Sequence, residues 1–275
     1  MQHYIIGFVG GGNMARSLIG GLLADGIAPE RIWASDPDPG RLDTLRSAFQ
    51  INATHDNAEV VNAAGVVVLA VKPQIVRQVT QSLGQMIQAK RPLVISIAAG
   101  IREADLRRWL GEKVALVRSM PNTPALVQSG ATALYANPYV SDQQRELAES
   151  VLRAVGITVW LEDEAHMDAV TALSGSGPAY FFLIMEALEA AAVDLGLVPE
   201  TARLLTLQTA FGAAKMALES EEPINVLRQR VTSPGGTTEQ AVRVLEQGGI
   251  RALFGQALKA AYQRSRELAG LLGES

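Results

Sequence analysis

The stretch that most constrains the fold lies near the start of the chain and reads GFVGGGNMARSL, residues 7–18. Its glycines follow a short apolar run and precede a segment in which the leucines recur at helical spacing. Gly10-x-Gly12-x-x-Ala15 in this strand–turn–helix setting is typical of a dinucleotide-binding turn, because glycine permits the tight turn and lets a pyrophosphate approach the backbone N–H groups. We therefore expect a Rossmann-like domain at the beginning of the chain. The alternative interpretation is a tight turn without a ligand.

Short apolar runs rich in β-branched residues recur along the first part of the chain, separated by polar or helical stretches. These runs are HYIIGFV, RIWAS, GVVVLAV, PLVISIAA, KVALVRS, ATALYAN and ITVWL. Runs that are apolar on both faces, with helices between them, are what a parallel sheet covered on both sides requires. Helices are expected over 13–25, from Pro39 after a capping Asp38, and from Ser141 to Gly156. The sequence thus predicts a mostly parallel α/β domain over residues 1–162.

Strand signals stop after Glu162, and long helical segments follow. The segment 178–195 begins with a proline and is apolar on nearly all sides, through Phe181, Phe182, Ile184, Met185, Leu188, Ala191, Ala192 and Leu195. A helix that is hydrophobic all round must be buried all round. Residues 163–275 form too small a domain to achieve this alone, so we expect an all-helical domain that packs against a second copy of the chain.

Composition excludes several classes of function. The net charge of -4 argues against nucleic acid as a partner, and the lack of cysteine excludes disulfides and thiolate metal sites. His3, His55 and His166 are not spaced as a metal set, so no metal is expected. The segment YIIGFVG lacks the features of a signal peptide, and the longest apolar run, AGVVVLAV, is far shorter than a membrane span. We expect a cytoplasmic protein that binds neither nucleic acid nor membranes.

The end of the second predicted strand bears on which dinucleotide is bound. Asp36 lies about 20 residues after Ala15, where an acidic side chain accepts the ribose 2′-OH and favours NAD. Ser35 precedes it, however, and Arg41 lies one turn into the following helix, where it could meet the 2′-phosphate of NADP. Asp36 is also interpretable as a turn or capping carboxylate. The sequence leaves both coenzymes open.

Two further loops are expected at the carboxyl edge of the sheet. In AVKPQ, residues 70–74, Lys72 and Pro73 suit a loop over the ribose and pyrophosphate, although a plain strand-to-helix turn is an equal alternative. The loop SMPNTPALVQSG, residues 119–130, offers Asn122 and Thr123 as hydrogen-bonding groups. Loops at this edge usually shape the pocket for the reacting end of the cofactor.

Five segments carry a resemblance to a known family. They are GFVGGGNMA (7–15), AVKPQ (70–74), RSMPNTPALV (118–127), LSGSGPAYFF (173–182) and TSPGGTTEQAVRVLE (232–246), in order along almost the whole chain. The chain resembles the Δ1-pyrroline-5-carboxylate reductases, which reduce a cyclic imine to L-proline with NAD(P)H. The last two segments are specific to that family rather than to dinucleotide-binding folds in general.

The resemblance implies an architecture, a cofactor and an assembly. It implies an N-terminal Rossmann-like domain over 1–162 and a C-terminal helical dimerisation and substrate domain over 163–275. The cofactor implied is NADPH, with NADH accepted by several members. The homo-oligomer implied is at least an interlocked dimer, and some members form a ring of five dimers, a decamer.

The resemblance also implies the roles of individual residues. Those implied to bind the cofactor are Gly10, Gly12, Asn13, Met14, Ala15, Ser35, Asp36, Asn57, Ala70, Val71, Lys72, Pro73, Ala98, Met120 and Asn122. Those implied to bind the small-molecule substrate are Ser174, Gly175, Ser176, Ser233, Thr237 and Thr238. The Ser233 hydroxyl and the amides around Thr237 and Thr238 would take the substrate carboxylate, and the Thr238 hydroxyl would deliver or relay the proton to the ring nitrogen. A helix N-terminus preceded by glycines is a ready carboxylate site, and on the residues alone the alternative is capping by Ser and Thr with Glu239 in the first turn. With the resemblance, we expect capping and carboxylate binding together.

Two other functions are compatible with the sequence. Hydroxyacid dehydrogenases of related architecture use a helix-borne lysine as acid and base, and Lys215 in FGAAKMALE is a candidate. A lysine that reaches solvent from an apolar helix is the simpler interpretation. A cofactor-binding sensor without turnover is the third hypothesis. His166 is expected on a helix surface, whereas Tyr180 and Met120 suit either the pocket or the core.

Overall fold

The computed structural model describes residues 4–274, and the chain forms two compact units. One unit contains the chain up to Ser176 and again from Ala261 onward, and the other is Gly177–Ala260. The units do not coincide with a division at residue 162, because the segment that follows it and the end of the last helix belong to the first unit. His3 lies outside the described residues.

The first unit is built on an eight-stranded sheet. Its strands are β1 Ile6–Val9, β2 Ile32–Ser35, β3 Asn52–Thr54, β4 Val66–Leu69, β5 Leu93–Ser96, β6 Leu116–Met120, β7 Gly130–Ala136 and β8 Gly156–Trp160. Their order is β3-β2-β1-β4-β5-β6-β7-β8, and every neighbouring pair is parallel except β6 with β7. The predicted Rossmann-like, mostly parallel sheet is confirmed. From β1 the chain adds β2 and β3 on one side and then β4 and the later strands on the other side, so the strand order reverses between β1 and β4. Sheets of this kind bind ligands at such a switch point.

Helices cover both faces of this sheet. They are α1 Asn13–Ala24, α2 Pro39–Phe49, α3 Asn57–Ala63, α4 Pro73–Lys90, α5 Glu103–Leu110, α6 Asp142–Arg153 and the short α7 Met167–Val170. Alternate strand residues point to opposite faces. Ile6 and Phe8 therefore pack with the leucines of α1 in one core, while Val9 and Leu69 pack with Val76 of α4 in the other.

Two predicted helix starts are confirmed by their caps. The Asp38 carboxylate accepts hydrogen bonds from the backbone N–H groups of Gly40 and Arg41, ahead of Pro39. Ser141 and Gln144 form a reciprocal capping box at the start of α6. These local bonds fix where each helix begins.

The second unit is entirely helical within its described residues. It contains α8 Gly177–Asp194, α9 Pro199–Glu219, α10 Ile224–Arg230, α11 Thr237–Gln247 and the first part of α12 Ile250–Glu274. The apolar side chains of α8 include Phe181, Phe182 and Leu183, which are largely exposed in the single chain. An exposed apolar surface of this extent calls for a covering partner.

One helical segment bears on the sequence-based argument about membranes. The helical segment Glu164–Asp194 is long and apolar enough to cross a membrane by length and composition alone. Unlike the uninterrupted run AGVVVLAV, this segment reaches its mean hydropathy with a few polar residues interspersed. One such helix is weak evidence for a membrane span, because the core helix of a soluble protein meets the same criteria.

Candidate active site

The glycine-rich turn between β1 and α1 has the geometry of a phosphate cradle. Gly10 has φ +104°, and a Cβ on it would lie 2.6 Å from the carbonyl oxygen of Ala70, so only glycine fits there. Gly12 is the N-cap of α1, and nothing lies within 4 Å of the position that its Cβ would take. Gly12 directly precedes the first-turn residues Asn13, Met14 and Ala15, and no side chain caps this helix start. The residues present therefore fit a pyrophosphate at the helix N-terminus.

Hydrogen bonds tie this turn to the end of β2. The Gly10 N–H donates to the Ser35 carbonyl oxygen at 2.8 Å, and the Gly11 N–H donates to Asp36 Oδ2 at 2.9 Å. Ser35 Oγ in turn lies 2.7 Å from Asn57 Oδ1, at the start of α3. The structure thus brings together the predicted cofactor residues at the ends of β1 and β2.

The remaining cofactor candidates of the central strands lie on the same edge. Ala70 follows β4, and its N–H donates to the Val9 carbonyl oxygen at 2.8 Å. Val71 and Lys72 complete the connection, in which Lys72 is the N-cap of α4 and Pro73 is its first residue. Ala98 follows β5 and is buried. This connection is both a strand-to-helix turn and part of the edge where a cofactor would lie, so the two interpretations do not exclude each other.

Asn122 links the β6–β7 connection to the segment that carries Ser174. Its Oδ1 accepts the Ala131 N–H at 2.9 Å, and its Nδ2 lies 3.2 Å from both the carbonyl oxygen and the Oγ of Ser174. Ser174 and Gly175 belong to a π-helical turn, Thr171–Gly175, and Ser176 follows it. A Cβ on Gly175 would lie 2.5 Å from Met120 Cε. Residues predicted for the cofactor and residues predicted for the substrate are therefore in direct contact here, and π-helical turns occur frequently at functional sites.

A buried ion pair joins β6 to the 3₁₀ turn Glu164–His166, and the sequence patterns did not reveal it. Arg118 in β6 is 5% exposed, and its Nη1 lies 2.8 Å from Glu164 Oε1. The same oxygen accepts the Glu103 N–H at 2.6 Å. Burial raises the pKa of the neighbouring Tyr135, and the negative charges of Glu164, Glu103 and Asp163 raise it further. The available signal was the arginine within the apolar run KVALVRS.

The turn SPGGTT changes the direction of the chain just before α11 in the second unit. Gly235 has φ +72°, and the Gly236 N–H donates to the Ser233 carbonyl oxygen at 3.0 Å. Gly236 is the N-cap of α11 and has no side chain with which to cap it. The expected capping by Ser and Thr hydroxyls is wrong for this turn as the structure describes it. Instead Glu239 Oε2 accepts the Gly235 N–H at 2.8 Å, ahead of the helix.

The groups behind the alternative functions lie in ordinary surface positions. Lys215 Nζ in α9 lies 3.6 Å from Glu219 Oε1, one turn away, and the side chain is exposed. His166 ends the short 3₁₀ turn Glu164–His166 and is exposed, as predicted. Over residues 4–274, no group of three or more His, Asp or Glu side chains is placed to hold a metal ion.

Two family models match the chain. One, described as pyrroline-5-carboxylate reductase dimerisation, matches residues 164–268. The other, described as NADP oxidoreductase coenzyme F420-dependent, matches residues 5–100. The dimerisation match covers the exposed apolar α8, and the two observations together support self-association of this chain.

Individual proteins match over nearly their whole length. A pyrroline-5-carboxylate reductase of Pseudomonas aeruginosa is 54% identical over 269 residues, which covers 98% of each chain. The solved structure of a pyrroline-5-carboxylate reductase from Coxiella burnetii is 50% identical with a TM-score of 0.93, covering 96% of this chain and 98% of that one. The Plasmodium falciparum pyrroline carboxylate reductase, solved with NADP bound, is 30% identical with a TM-score of 0.86, covering 98% and 99%.

Proposed function

This chain belongs to the pyrroline-5-carboxylate reductase family, and on that premise we propose that it reduces L-1-pyrroline-5-carboxylate to L-proline, the last step of proline biosynthesis. The hydride donor is NADPH, and NADH is also accepted. The glycine-rich turn with its open helix N-terminus fits the pyrophosphate of either coenzyme. The enzyme is thus an oxidoreductase with a small cyclic amino acid as its product.

The observation that carries the substrate assignment is the N-terminus of α11. Its N-cap is a glycine, and no side chain caps its first-turn amides in the part of the chain that the structure describes. The amides of Thr237 and Thr238 are therefore available to a carboxylate, which the positive end of the helix favours. The hydroxyl of Ser233 is the further carboxylate ligand in this proposal.

The reduction requires that the imine be oriented against the coenzyme and that its ring nitrogen receive one proton. Bound NADPH supplies the hydride that the imine carbon accepts, and a proton on the ring nitrogen makes that carbon electrophilic. Thr238 provides the hydroxyl that delivers or relays this proton, and no strong base is needed in the direction of reduction. Ser174, Gly175 and Ser176 hold the other side of the substrate, next to Met120 and Asn122. Fixing the imine against the donor in this way contributes to the rate enhancement through proximity and orientation.

The cofactor residues follow the carboxyl edge of the sheet in this proposal. The amides of Asn13, Met14 and Ala15 hold the pyrophosphate beside Gly10 and Gly12, and Ser35, Asp36 and Asn57 hold the adenosine end. Ala70, Val71, Lys72, Pro73 and Ala98 line the path to the reacting end, where Met120 and Asn122 lie.

The assembly follows from the apolar helix. We infer an interlocked dimer, which a decamer of five such dimers would extend, and in which the α11 turn completes the site of the neighbouring chain. Functionally, residues 1–162 bind the dinucleotide, and residues 163–275 dimerise and bind substrate. The proposed place of action is the cytoplasm. Measuring the size of the protein in solution tests the proposed dimer, and a monomer would contradict it.

A direct assay tests the reaction. Purified protein is mixed with NADPH and pyrroline-5-carboxylate, and both coenzyme oxidation and L-proline are measured. We expect stoichiometric formation of proline. No turnover with either NADPH or NADH would overturn the proposal.

A further inference from the structure

The last turns of α12 pack against α5 within the first unit. Ala269 is buried, and Gly273 lies so close to α5 that a Cβ on it would be 2.5 Å from Asp105 Oδ2. Arg108 Nη2 donates to the Gly273 carbonyl oxygen at 2.6 Å and lies 2.9 Å from Asp105 Oδ1. Arg108 therefore stabilises the carboxyl end of α12, where a cation is favoured.

A cavity of about 270 Å³ lies beside this contact. The residues that α12 contributes to its wall are all small, namely Ala269, Gly270 and Gly273. Outside the nearby backbone of α12, nothing lies within 4 Å of the position that a Cβ on Gly270 would take. The cavity is slightly smaller than the pockets of about 300–1,000 Å³ that hold drug-sized molecules, so its size suits an ion or a compact group.

The rest of the cavity wall is strongly basic. It consists of Arg77 from α4, Arg102 at the N-cap of α5, Arg108 and Asp105. Asp105 is paired with Arg108, so the charges of Arg77 and Arg102 are not balanced by any other residue of the wall. The wall therefore attracts anions.

Arg77 and Arg102 also have unused hydrogen-bonding capacity. Among the side chains that the structure describes, neither guanidinium has a hydrogen bond or an ion pair. Each guanidinium carries five N–H donors in a planar fork that matches two oxygens of a phosphate group. Arg77 is half-buried and Arg102 is exposed, so the cavity is accessible from solvent.

We propose that this cavity binds a small multivalent oxoanion of the phosphate class, held by Arg77, Arg102 and the remaining donors of Arg108. The site lies between α4, α5 and the end of α12, whereas the glycine-rich turn lies at the start of α1. An anion held there contacts all three helices, so its binding strengthens the docking of the end of α12. The inference requires no turnover and is independent of the reaction proposed above.

Calorimetric titration of the protein saturated with NADP⁺ tests the site. Inorganic phosphate is the probe, at constant ionic strength, and NADP⁺ fills the glycine-rich turn, which also attracts phosphate. Arg77→Gln and Arg102→Gln should each weaken phosphate binding roughly tenfold or more, because each removes charge-assisted hydrogen bonds. Arg107→Gln is the matched control, since Arg107 lies on α5 but pairs with Glu103 and does not line the cavity. It should bind phosphate as wild type does.

The source of the anion is tested with a second probe. Phenyl phosphate carries the same phosphoryl group on a bulky substituent. Tighter binding of inorganic phosphate would identify the free ion as the ligand, and tighter binding of phenyl phosphate would identify the phosphoryl group of a larger molecule. Either result supports the site, provided that binding depends on Arg77 and Arg102.

Gly270→Leu tests the cavity without changing a charge. Leucine has a higher helix propensity than glycine, and its side chain would occupy the open space, so the protein should fold and lose phosphate binding. Phosphate should slow hydrogen exchange in the last turns of α12 in wild type and have no such effect in Gly270→Leu.

Three results would overturn the inference. They are no phosphate binding by wild type, equal binding by wild type and both arginine variants, and binding that appears only after residues 274–275 are deleted. The last result would show that the carboxylates of the chain's own terminus occupy the cavity.

Discussion

The side-chain amide nitrogen of Asn122 lies 3.2 Å from both the carbonyl oxygen and the hydroxyl of Ser174, 52 residues further along the chain. This pair of contacts joins the loop after β6 to the π-helical turn that carries the SGSG sequence. Its geometry fixes the distance between a residue proposed for the cofactor and one proposed for the substrate. We therefore expect Asn122 to matter for catalysis as well as for stability.

Replacing Asn122 with Ala removes three hydrogen bonds and leaves the Ala131 N–H without its acceptor. We expect a loss of about 1–3 kcal/mol in the free energy of unfolding. We expect kcat/KM to fall roughly tenfold or more, because the imine and its donor lose their alignment. Ser129→Ala is the matched control, since its side chain lies in the same loop and is exposed. Equal activity in the two variants would show that the Asn122 contacts do not position the site.

The Arg118–Glu164 pair is expected to be a major source of local stability. Replacing Arg118 with Met leaves the Glu164 carboxylate without its cation, and removing one partner of a buried pair costs about 3–5 kcal/mol. Glu164 is partly exposed, so the lower end of that range applies. Urea unfolding measures the change, and Arg264→Met, which breaks an exposed pair with Glu267, should cost little. Similar costs for both variants would contradict the role of burial.

Thr238 is expected to act on the rate of the chemical step. Thr238→Ala should lower kcat roughly ten- to a hundredfold, the low end for a positioned proton donor, and Thr238→Ser should restore much of it. Lys215→Met should keep wild-type kcat, because Lys215 forms only an exposed ion pair with Glu219. Steady-state kinetics with saturating imine measures both. An inactive lysine variant beside a normal threonine variant would instead favour the hydroxyacid dehydrogenase hypothesis.

Glu149 should make stability depend on pH in the acidic range. Hydrogen bonds from Trp160 and then Arg153 lower the pKa of Glu149 below its ordinary value. A lowered pKa contributes stability that is fully present above the unfolded value of about 4.3 and is lost as pH falls through the folded value. Because the Glu149 side chain is 27% exposed and solvent partly screens its contacts, Glu149→Gln should cost about 1 kcal/mol or less at neutral pH.

The difference in the free energy of unfolding between wild type and Glu149→Gln should vanish in acid. Urea unfolding of wild type and Glu149→Gln should converge as the pH falls below about 4. Glu146→Gln, on the exposed side of the same helix, is the control and should match wild type throughout. A difference between wild type and Glu149→Gln that persisted in acid would contradict the ionic origin of the effect.

Much of the fold followed from local patterns, because capping residues and apolar periodicity act within a few residues. Asp38, Ser141 and the glycine-rich turn are examples. β3 and α3 were missed. Asn52–Thr54 is a short, half-buried segment that becomes a strand through its pairing with β2 rather than through its own residues. The antiparallel pairing of β7 with β6 likewise depends on the path of the loop between them, and an apolar run does not show the direction of its strand.

Local sequence patterns could not predict which residues distant in sequence contact one another in the site. The position of Asp36 was predicted, but its bond to Gly11, 25 residues earlier, was not. Arg118 meets Glu164 across 46 residues, and only the folded sheet brings them together. At α11 the expected hydroxyl cap is absent, and Glu239 instead accepts the N–H of Gly235, which precedes the N-cap Gly236. Candidate residues at loops and helix starts could thus be named from the sequence, while their partners required the fold.

The reaction proposed for this site is hydride transfer from the nicotinamide to a cyclic imine. The most direct measurement uses NADPH deuterated at both C4 positions, with pyrroline-5-carboxylate, and analyses the product by mass spectrometry and NMR. We predict L-proline with one deuterium on its δ carbon, in amounts equal to the coenzyme oxidised. Proline without deuterium at that carbon, or no proline at all, would contradict the claim.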